Sequence, residues 1–462
     1  MSKEFSHPYI PNSQPDIKRQ MLDELGMESV EDIFKEIPDH LRFKGEMDIE
    51  ERLESEYELR KHVEKILNKN ENCEENLSFL GGGTWQHYVP AVCDTIASRD
   101  EFLTAYVGDA YSDHGKFQAL FQFQSMMGEL VGMDCSGTPT YDWGHSIGMA
   151  IRMASRLNGR KTVIIPENIS PGRLAIVKNY LKPDIDIVMV KSIKETGLID
   201  LEDLESKLSK DITAVYIENP TYLGVIETEG EEIAKLTHGV DAEMIVGCDP
   251  SSLGVLEAPA NYGADIVCGE IQPLGMHMEW GGGLGGFVAT RDEPDYVAEY
   301  PQLLYGLTTT RVEGEYGFGE VFYDRTSYAS REKAKDFVGT ATALHGITAG
   351  VYLALMGPHG MRELGEGIMQ RVKYAMDEIS KIDGVKMSHK GFNFKEFVVD
   401  FNGTGKTVEE INKKLKDKSI FGGINLEETF PELGQSALYC ITEVHTKEDI
   451  DKLVSGLKEI MS

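Results

Sequence analysis

The stretch over residues 245–290, IVGCDPSSLGVLEAPANYGADIVCGEIQPLGMHMEWGGGLGGFVAT, constrains this chain more than any other. Its apolar runs predict a buried strand at 245–249 that ends in an acid, a second strand at 265–269 and a third at 287–290. A glycine run at 281–286 precedes the third strand. In open α/β sheets the side chains at the carboxyl ends of strands face the ligand crevice, which places Asp249 and Glu270 at its floor. No lysine occurs between Lys235 and Lys333, and the turn after the second strand carries Gln272, Pro273 and Leu274.

The segments before it have the same texture. TVIIP, IDIVMVK, TAVYIENP and EMIVGCDP are apolar runs separated by helical patterns, starting near Lys161. Strands of this kind are buried on both faces, so the expected fold is an α/β domain with a mostly parallel sheet covered by helices. The C-terminal part reads differently. Two long helices are expected at about 335–356 and 360–382, split by Gly357 and Pro358. Strand KEFVVDF, helix VEEINKKLK, strand ALYCITE and a last helix from Lys447 then make a small α+β domain. At 462 residues the chain is too long for one small core. The expected division is an N-terminal helical arm over 1–80, a large α/β domain over 81–334 and the small domain over 335–462.

In the arm, residues 49–70 have Leu53, Leu59, Val63, Ile66 and Leu67 at helical spacing on a polar background, an amphipathic helix in search of a surface. LSFLGGGTWQHYVPAV, from Leu77, packs glycines with aromatics and reads as a loop approaching a ligand or an interface. FQALFQFQSMMGELVGM, from Phe117, is a core helix by its apolar spacing. TYDWGHSIGMAIRMASRLNG opens a further helix, and free N–H groups at a helix start form an anion site. Gly144, His145 and Ser146 are therefore candidates to cradle a phosphate, with a plain helix capped near Asp142 as the equal alternative.

Charge and composition exclude several function classes. The formal net charge is −31, which is incompatible with the basic surface that nucleic acid or an anionic membrane requires. No apolar run is long enough for a membrane span and no signal-peptide core is visible, so the cytoplasm is the expected compartment. Cys73, Cys93, Cys135, Cys248, Cys268 and Cys440 contain no CxxC pair, which argues against a disulfide framework or a zinc site. Serine-hydrolase, zinc-protease and P-loop patterns are absent, and GGGLGG precedes a strand and not a helix, unlike a dinucleotide loop.

The order strand, acid, strand, glycine run resembles a pyridoxal-phosphate enzyme of the aspartate-aminotransferase type (fold type I), in which the strand-end acid pairs with the pyridine nitrogen and a lysine after the next strand forms the Schiff base. That lysine is missing here. A longer ordered set is similar to one family, the N-terminal-half (α) subunit of the two-subunit glycine decarboxylase, the P-protein of the glycine cleavage system. The set comprises HPYIP, SFLGGGTWQHYVPAVCDTIASRDEFLTAY, FQALFQFQSMMGELVGMD, NPTYLGVIE, VGCDPSSLGVLEAPANYGADIVCGE, REKA, LALMGPHGMRE and ITEVHTKEDID. It covers nearly the whole chain.

The resemblance implies a heterotetramer in which a lysine of the other (β) subunit holds pyridoxal phosphate. It implies decarboxylation of glycine, a small amino acid, with the aminomethyl group passed to the lipoyl arm of a carrier protein. It makes Asp249 a cofactor-binding position, beside the helix-start candidates Gly144, His145 and Ser146, all intact or vestigial, with no catalytic lysine in this chain and no metal; the family's tyrosine-aspartate-glycine helix start is here Tyr141, Asp142, Trp143, Gly144 and His145. It also makes residues 106–115, YVGDAYSDHG, the loop that reaches the pocket shared with the partner. There the family's threonine-proline-tyrosine-glutamine run is replaced, so that Tyr106, Asp109, Tyr111, Asp113 and His114 would surround the substrate. Acids beside a substrate carboxylate repel it, so a paralogous complex acting on another small amino acid or acceptor is an alternative. Others are a scaffold or regulatory subunit with an empty pocket, and a lysine-free enzyme with His277 or His145 as base.

Overall fold

A computed structural model describes residues 6–7, 9–10, 12–50, 52–103, 114–336, 338–339 and 341–462; the side-chain surroundings at 114, 115 and 328 lie outside the description. The chain divides into two compact units, Met1–Glu71 and Asn72–Ser462.

The first unit contains a helix at Pro15–Glu24, 3₁₀ helices at Val30–Glu36 and Asp39–Leu41, and a helix at Glu56–Leu67. The last is shorter than the 49–70 apolar pattern, because Ser55 caps it by accepting the Glu58 N–H at 3.3 Å. Leu59, Val63, Ile66 and Leu67 all remain exposed on it.

The second unit is built on a seven-stranded sheet. Its spatial order is Cys135–Ser136, Gly286–Thr290, Ile266–Glu270, Glu243–Cys248, Ile212–Glu218, Thr162–Pro166, Asp186–Val190. From Ile266–Glu270 to Asp186–Val190 the neighbours are parallel, and Gly286–Thr290 runs antiparallel beside Ile266–Glu270. Every residue of Ile212–Glu218 is buried, as expected for a central strand covered on both faces. The helix Trp143–Asn158 packs on one side with Ile147, Ala150 and Ile151 against Ile245 and Ile266. This is the α/β fold with a mostly parallel central sheet.

A four-stranded antiparallel sheet follows, in the order Lys386–Met387, Glu396–Asp400, Ser436–Cys440, Ile424–Asn425. It is backed by the helices Val408–Lys416 and Lys447–Met461, both started by capping boxes, at Thr407 with Glu410 and at Thr446 with Asp449. Leu77–Ser78 pairs with Ile420–Phe421, so this segment belongs with the C-terminal elements and not with the arm expected over 1–80. The long helix begins at Ala343, eight residues later than the apolar pattern expects, after Gly339 and the branched Thr342. It runs to Ile379 with a break at Gly357, where φ is +56° and Pro358 follows without an N–H to donate. The region read as loop after Thr290 holds a hairpin, Tyr305–Thr309 with Tyr316–Glu320.

Candidate cofactor crevice

Asp249 follows the last residue of Glu243–Cys248 and caps the turn Pro250–Gly254. Its Oδ1 accepts hydrogen bonds from the Ser251 N–H at 3.0 Å and Oγ at 2.7 Å. Its Oδ2 lies 2.6 Å from Nζ of Lys395, with both side chains buried. Lys395 stands immediately before Glu396–Asp400 with φ +60°, an unfavourable conformation for a side chain of this size. Its ammonium is 4.1 Å from the centre of the Trp85 ring and donates to Nε2 of His87 at 2.8 Å. An ammonium has no acceptor, so Nε2 must accept and Nδ1 carries the proton, which it donates to Glu443 Oε2 at 2.8 Å.

Asp249, Lys395, His87 and Glu443 thus form one polar line from the central sheet to the C-terminal elements, buried at the first three and partly exposed at Glu443. Burial pushes the Asp249 carboxyl up, but Lys395 and the Ser251 hydroxyl outweigh it and the net direction is down. Burial likewise raises Glu443, yet His87 and the Tyr88 N–H hold it down to about 2.

Glu270 ends the neighbouring strand. Its Oε1 accepts the N–H groups of Gly285 at 2.6 Å and Gln272 at 3.1 Å, and its Oε2 accepts the Trp143 N–H at 3.2 Å. Burial pushes this carboxyl up to about 8 against those three donors. At the turn where the lysine is missing, the Gln272 amide accepts from the Trp85 N–H at 3.1 Å and donates to the Trp85 carbonyl at 3.0 Å. It also donates to Met276 O at 3.0 Å. The glycine and aromatic segment 81–88 is thereby fastened across the crevice. A Cβ at Gly81 would lie 2.2 Å from Glu396 Oε1, so only glycine lets the segment pass this close. The sequence reads this segment as a loop approaching a ligand or an interface; in the structure Phe79, Trp85 and His87 are buried and Leu80 and Tyr88 exposed.

The candidate phosphate cradle is likewise engaged from within. Asp142 Oδ1 accepts the His145 N–H at 2.7 Å, and the Trp143 N–H is held by Glu270. Ser146 Oγ lies 2.6 Å from Thr140 Oγ1 and donates to Asp142 O at 3.0 Å. Gly144 packs against Ile176. The His145 ring stacks between Tyr141 at 4.6 Å and Tyr180 at 4.8 Å, and its Nδ1 accepts the Tyr141 N–H. Burial pushes its pKa down to about 4, so it is neutral near pH 7. His277 is half exposed, with Nε2 at 3.0 Å from Asp94 Oδ1. Of the expected substrate loop, Tyr106, Asp109, Tyr111 and Asp113 lie outside the described residues, and His114 opens the helix His114–Val131 with its side chain not described.

Between Trp85, Trp143, Arg173, Tyr222, Asp249 and Lys395 a cavity of ≈ 10 Å³ remains. That is room for about one water, whereas small-molecule and cofactor sites take roughly 300–1,000 Å³. Arg173 helps to close it, lying 3.5 Å from the Trp143 ring and pairing with Glu218 at 3.0 Å. The residues present do not fit pyridoxal phosphate in this chain. Among the described residues there is also no cluster of metal-ligating side chains. Sequence reasoning missed Lys395, His87, Trp85 and Glu443. The available signal was a lysine inside the apolar run NFKEFVVDF, three residues before a buried valine pair.

Comparison with known proteins gives a consistent set of matches. The profile of the glycine cleavage system P-protein family matches residues 7–457. The probable glycine dehydrogenase (decarboxylating) subunit 1 of Staphylothermus marinus is 39% identical, over 99% of this chain and 99% of that one. The protein of the same description from Pyrococcus furiosus is 38% identical, over 98% and 99%. A crystal structure of glycine decarboxylase (P-protein) of the glycine cleavage system, in inhibitor-bound form, superposes with a TM-score of 0.84 at 29% identity, covering 98% of this chain and 100% of that one. A sphingosine-1-phosphate lyase from Burkholderia pseudomallei, at TM-score 0.65 and 12% identity over 92% and 94%, shares the fold.

Proposed function

The chain belongs to the glycine cleavage system P-protein family, in the form made of two different subunits, and we propose that it is the subunit without a Schiff-base lysine, which completes the active site of a lysine-bearing partner. The observation that carries this reading is the replacement at the turn after Ile266–Glu270. The amide of Gln272 stands there, bonded to the Trp85 backbone, and the strand-end acid Asp249 is paired with Lys395. The site retains the scaffold of a pyridoxal-phosphate fold without the nucleophile that scaffold serves.

In this reading the cofactor sits on the other subunit, where its ring supplies the electron sink for decarboxylation of glycine. The aminomethyl group goes to the lipoyl group of a carrier protein. This chain contributes a preformed wall. The loop bearing Tyr106, Asp109, Tyr111, Asp113 and His114 is the part of that wall that would meet the small amino acid. The complex works in the cytoplasm; among the described residues no helix is long and apolar enough to cross a membrane.

Reconstitution tests the assignment. This chain, a lysine-bearing subunit and a lipoylated carrier, mixed with glycine and labelled bicarbonate, are expected to exchange carbon dioxide. Omission of this chain is expected to abolish exchange. Full exchange by the lysine-bearing subunit alone would overturn the reading.

A further inference from the structure

We propose that this chain excludes pyridoxal phosphate from its own crevice by engaging the strand-end acid, the turn after Glu270 and the Trp143 N–H internally, and that the Asp249–Lys395 pair now serves as a clasp between the central sheet and the C-terminal sheet. The proposal deepens the reading that the cofactor belongs to the other subunit, and it is tested on this chain alone, so either can fail without the other.

A bound cofactor of this class needs an acid for the ring nitrogen, a lysine for the aldehyde carbon and an anion site for the phosphate. In this crevice Asp249 is 2.6 Å from the Lys395 ammonium, which meets the acid with a positive charge from within the chain. The turn expected to carry a lysine carries Gln272, closed on the Trp85 backbone. The Trp143 N–H at the helix start is already held by Glu270 Oε2 at 3.2 Å. Entry of the cofactor would have to separate Lys395 from Asp249, leaving the buried ammonium its His87 and Trp85 contacts but not the carboxylate, and a buried charge that loses its counter-ion is strongly destabilised.

The same pair spans two layers of the fold. Asp249 follows a strand of the seven-stranded sheet, and Lys395 precedes one of the antiparallel sheet. His87 continues the contact to Glu443, just beyond the strand Ser436–Cys440. A lysine held at φ +60° with its ammonium over an indole ring is fixed at both ends, which suits a clasp and not a mobile nucleophile.

The test uses the full chain and 4′-deoxypyridoxine 5′-phosphate, which keeps the ring nitrogen and the phosphate but has no aldehyde to react with surface lysines. Calorimetric titration is expected to give no saturable binding up to about 1 mM. One-to-one binding with Kd below about 100 μM would overturn the exclusion. For the clasp, Asp249→Asn and Lys395→Met are each expected to lower the melting temperature, and the double variant to fall no further than the worse single one. Additive losses would overturn it. Should a single variant fail to fold, the double variant decides: a folded double supports the clasp and an unfolded one sinks it.

Discussion

Gln272 and Trp85 hold each other through a closed pair of hydrogen bonds, in which the side-chain amide of one copies a peptide group against the backbone of the other, at 3.1 and 3.0 Å. A side chain in the turn expected to carry a lysine bolts the segment that crosses the crevice. Four expectations follow from this arrangement and its neighbours.

Gln272→Ala removes the partner of the Trp85 N–H, the Trp85 carbonyl and the Met276 carbonyl together. All three groups are left unpaired in a buried place, at a cost of about 2–4 kcal/mol. Urea unfolding should show a lower midpoint with an unchanged slope. A loss within experimental error would mean that the bolt does not hold the segment.

Placing a lysine in that turn does not supply the chemistry. In Gln272→Lys the new ammonium enters a closed site whose strand-end acid is already paired with Lys395. After incubation with pyridoxal phosphate and borohydride, peptide mass mapping should find no stoichiometric adduct at residue 272, and none at Lys395 in the wild-type chain. A stoichiometric adduct at either position contradicts the closed crevice.

Glu270 makes stability fall toward alkaline pH. Its carboxyl is raised from 4.5 to about 8 by burial, so the folded state binds a proton that the unfolded state has released between those values. The contribution is complete below about 4.5 and is lost as pH rises through about 8. Glu270→Gln, which mimics the protonated form, should flatten the melting-temperature profile over that window. A parallel decline in wild type and variant would assign the titration to another group.

Glu443 acts in the opposite sense. Its carboxyl is lowered from 4.5 to about 2, so it contributes stability above about 4.5 that disappears as pH falls toward 2, on the order of 3 kcal/mol. Glu443→Gln should be less stable than wild type at neutral pH and approach it near pH 2 to 3. A constant difference at all pH values would rule out the charge as the cause.

Much of the fold was legible because it rests on local patterns. Apolar runs such as TAVYIE and EMIVGC can be buried on both faces only in a helix-covered sheet, and the strands at Ile212–Glu218 and Glu243–Cys248 lie at its centre. Gly357 and Pro358 announced the break in the long helix, because one takes a positive φ and the other lacks an N–H. The helix start at Thr342 was less legible, since Thr342 spends its hydroxyl on the Thr140 carbonyl at 2.7 Å, a partner 202 residues away.

The sequence by itself determined the fold class, the absence of a lysine after Glu270 and the family, since each is carried by residue type and order along the chain. It placed Asp249 at the crevice but left the phosphate cradle and a plain capped helix as equal alternatives. Tertiary structure alone brought Glu270 to the Trp143 N–H across 127 residues and Lys395 to Asp249 from the antiparallel sheet. Composition and spacing carry no trace of such pairings, because a carboxylate or an ammonium reads the same in sequence whether it faces water, a ligand or another side chain. Only the packing of the two sheets takes both charges out of water together, and that desolvation commits them to each other.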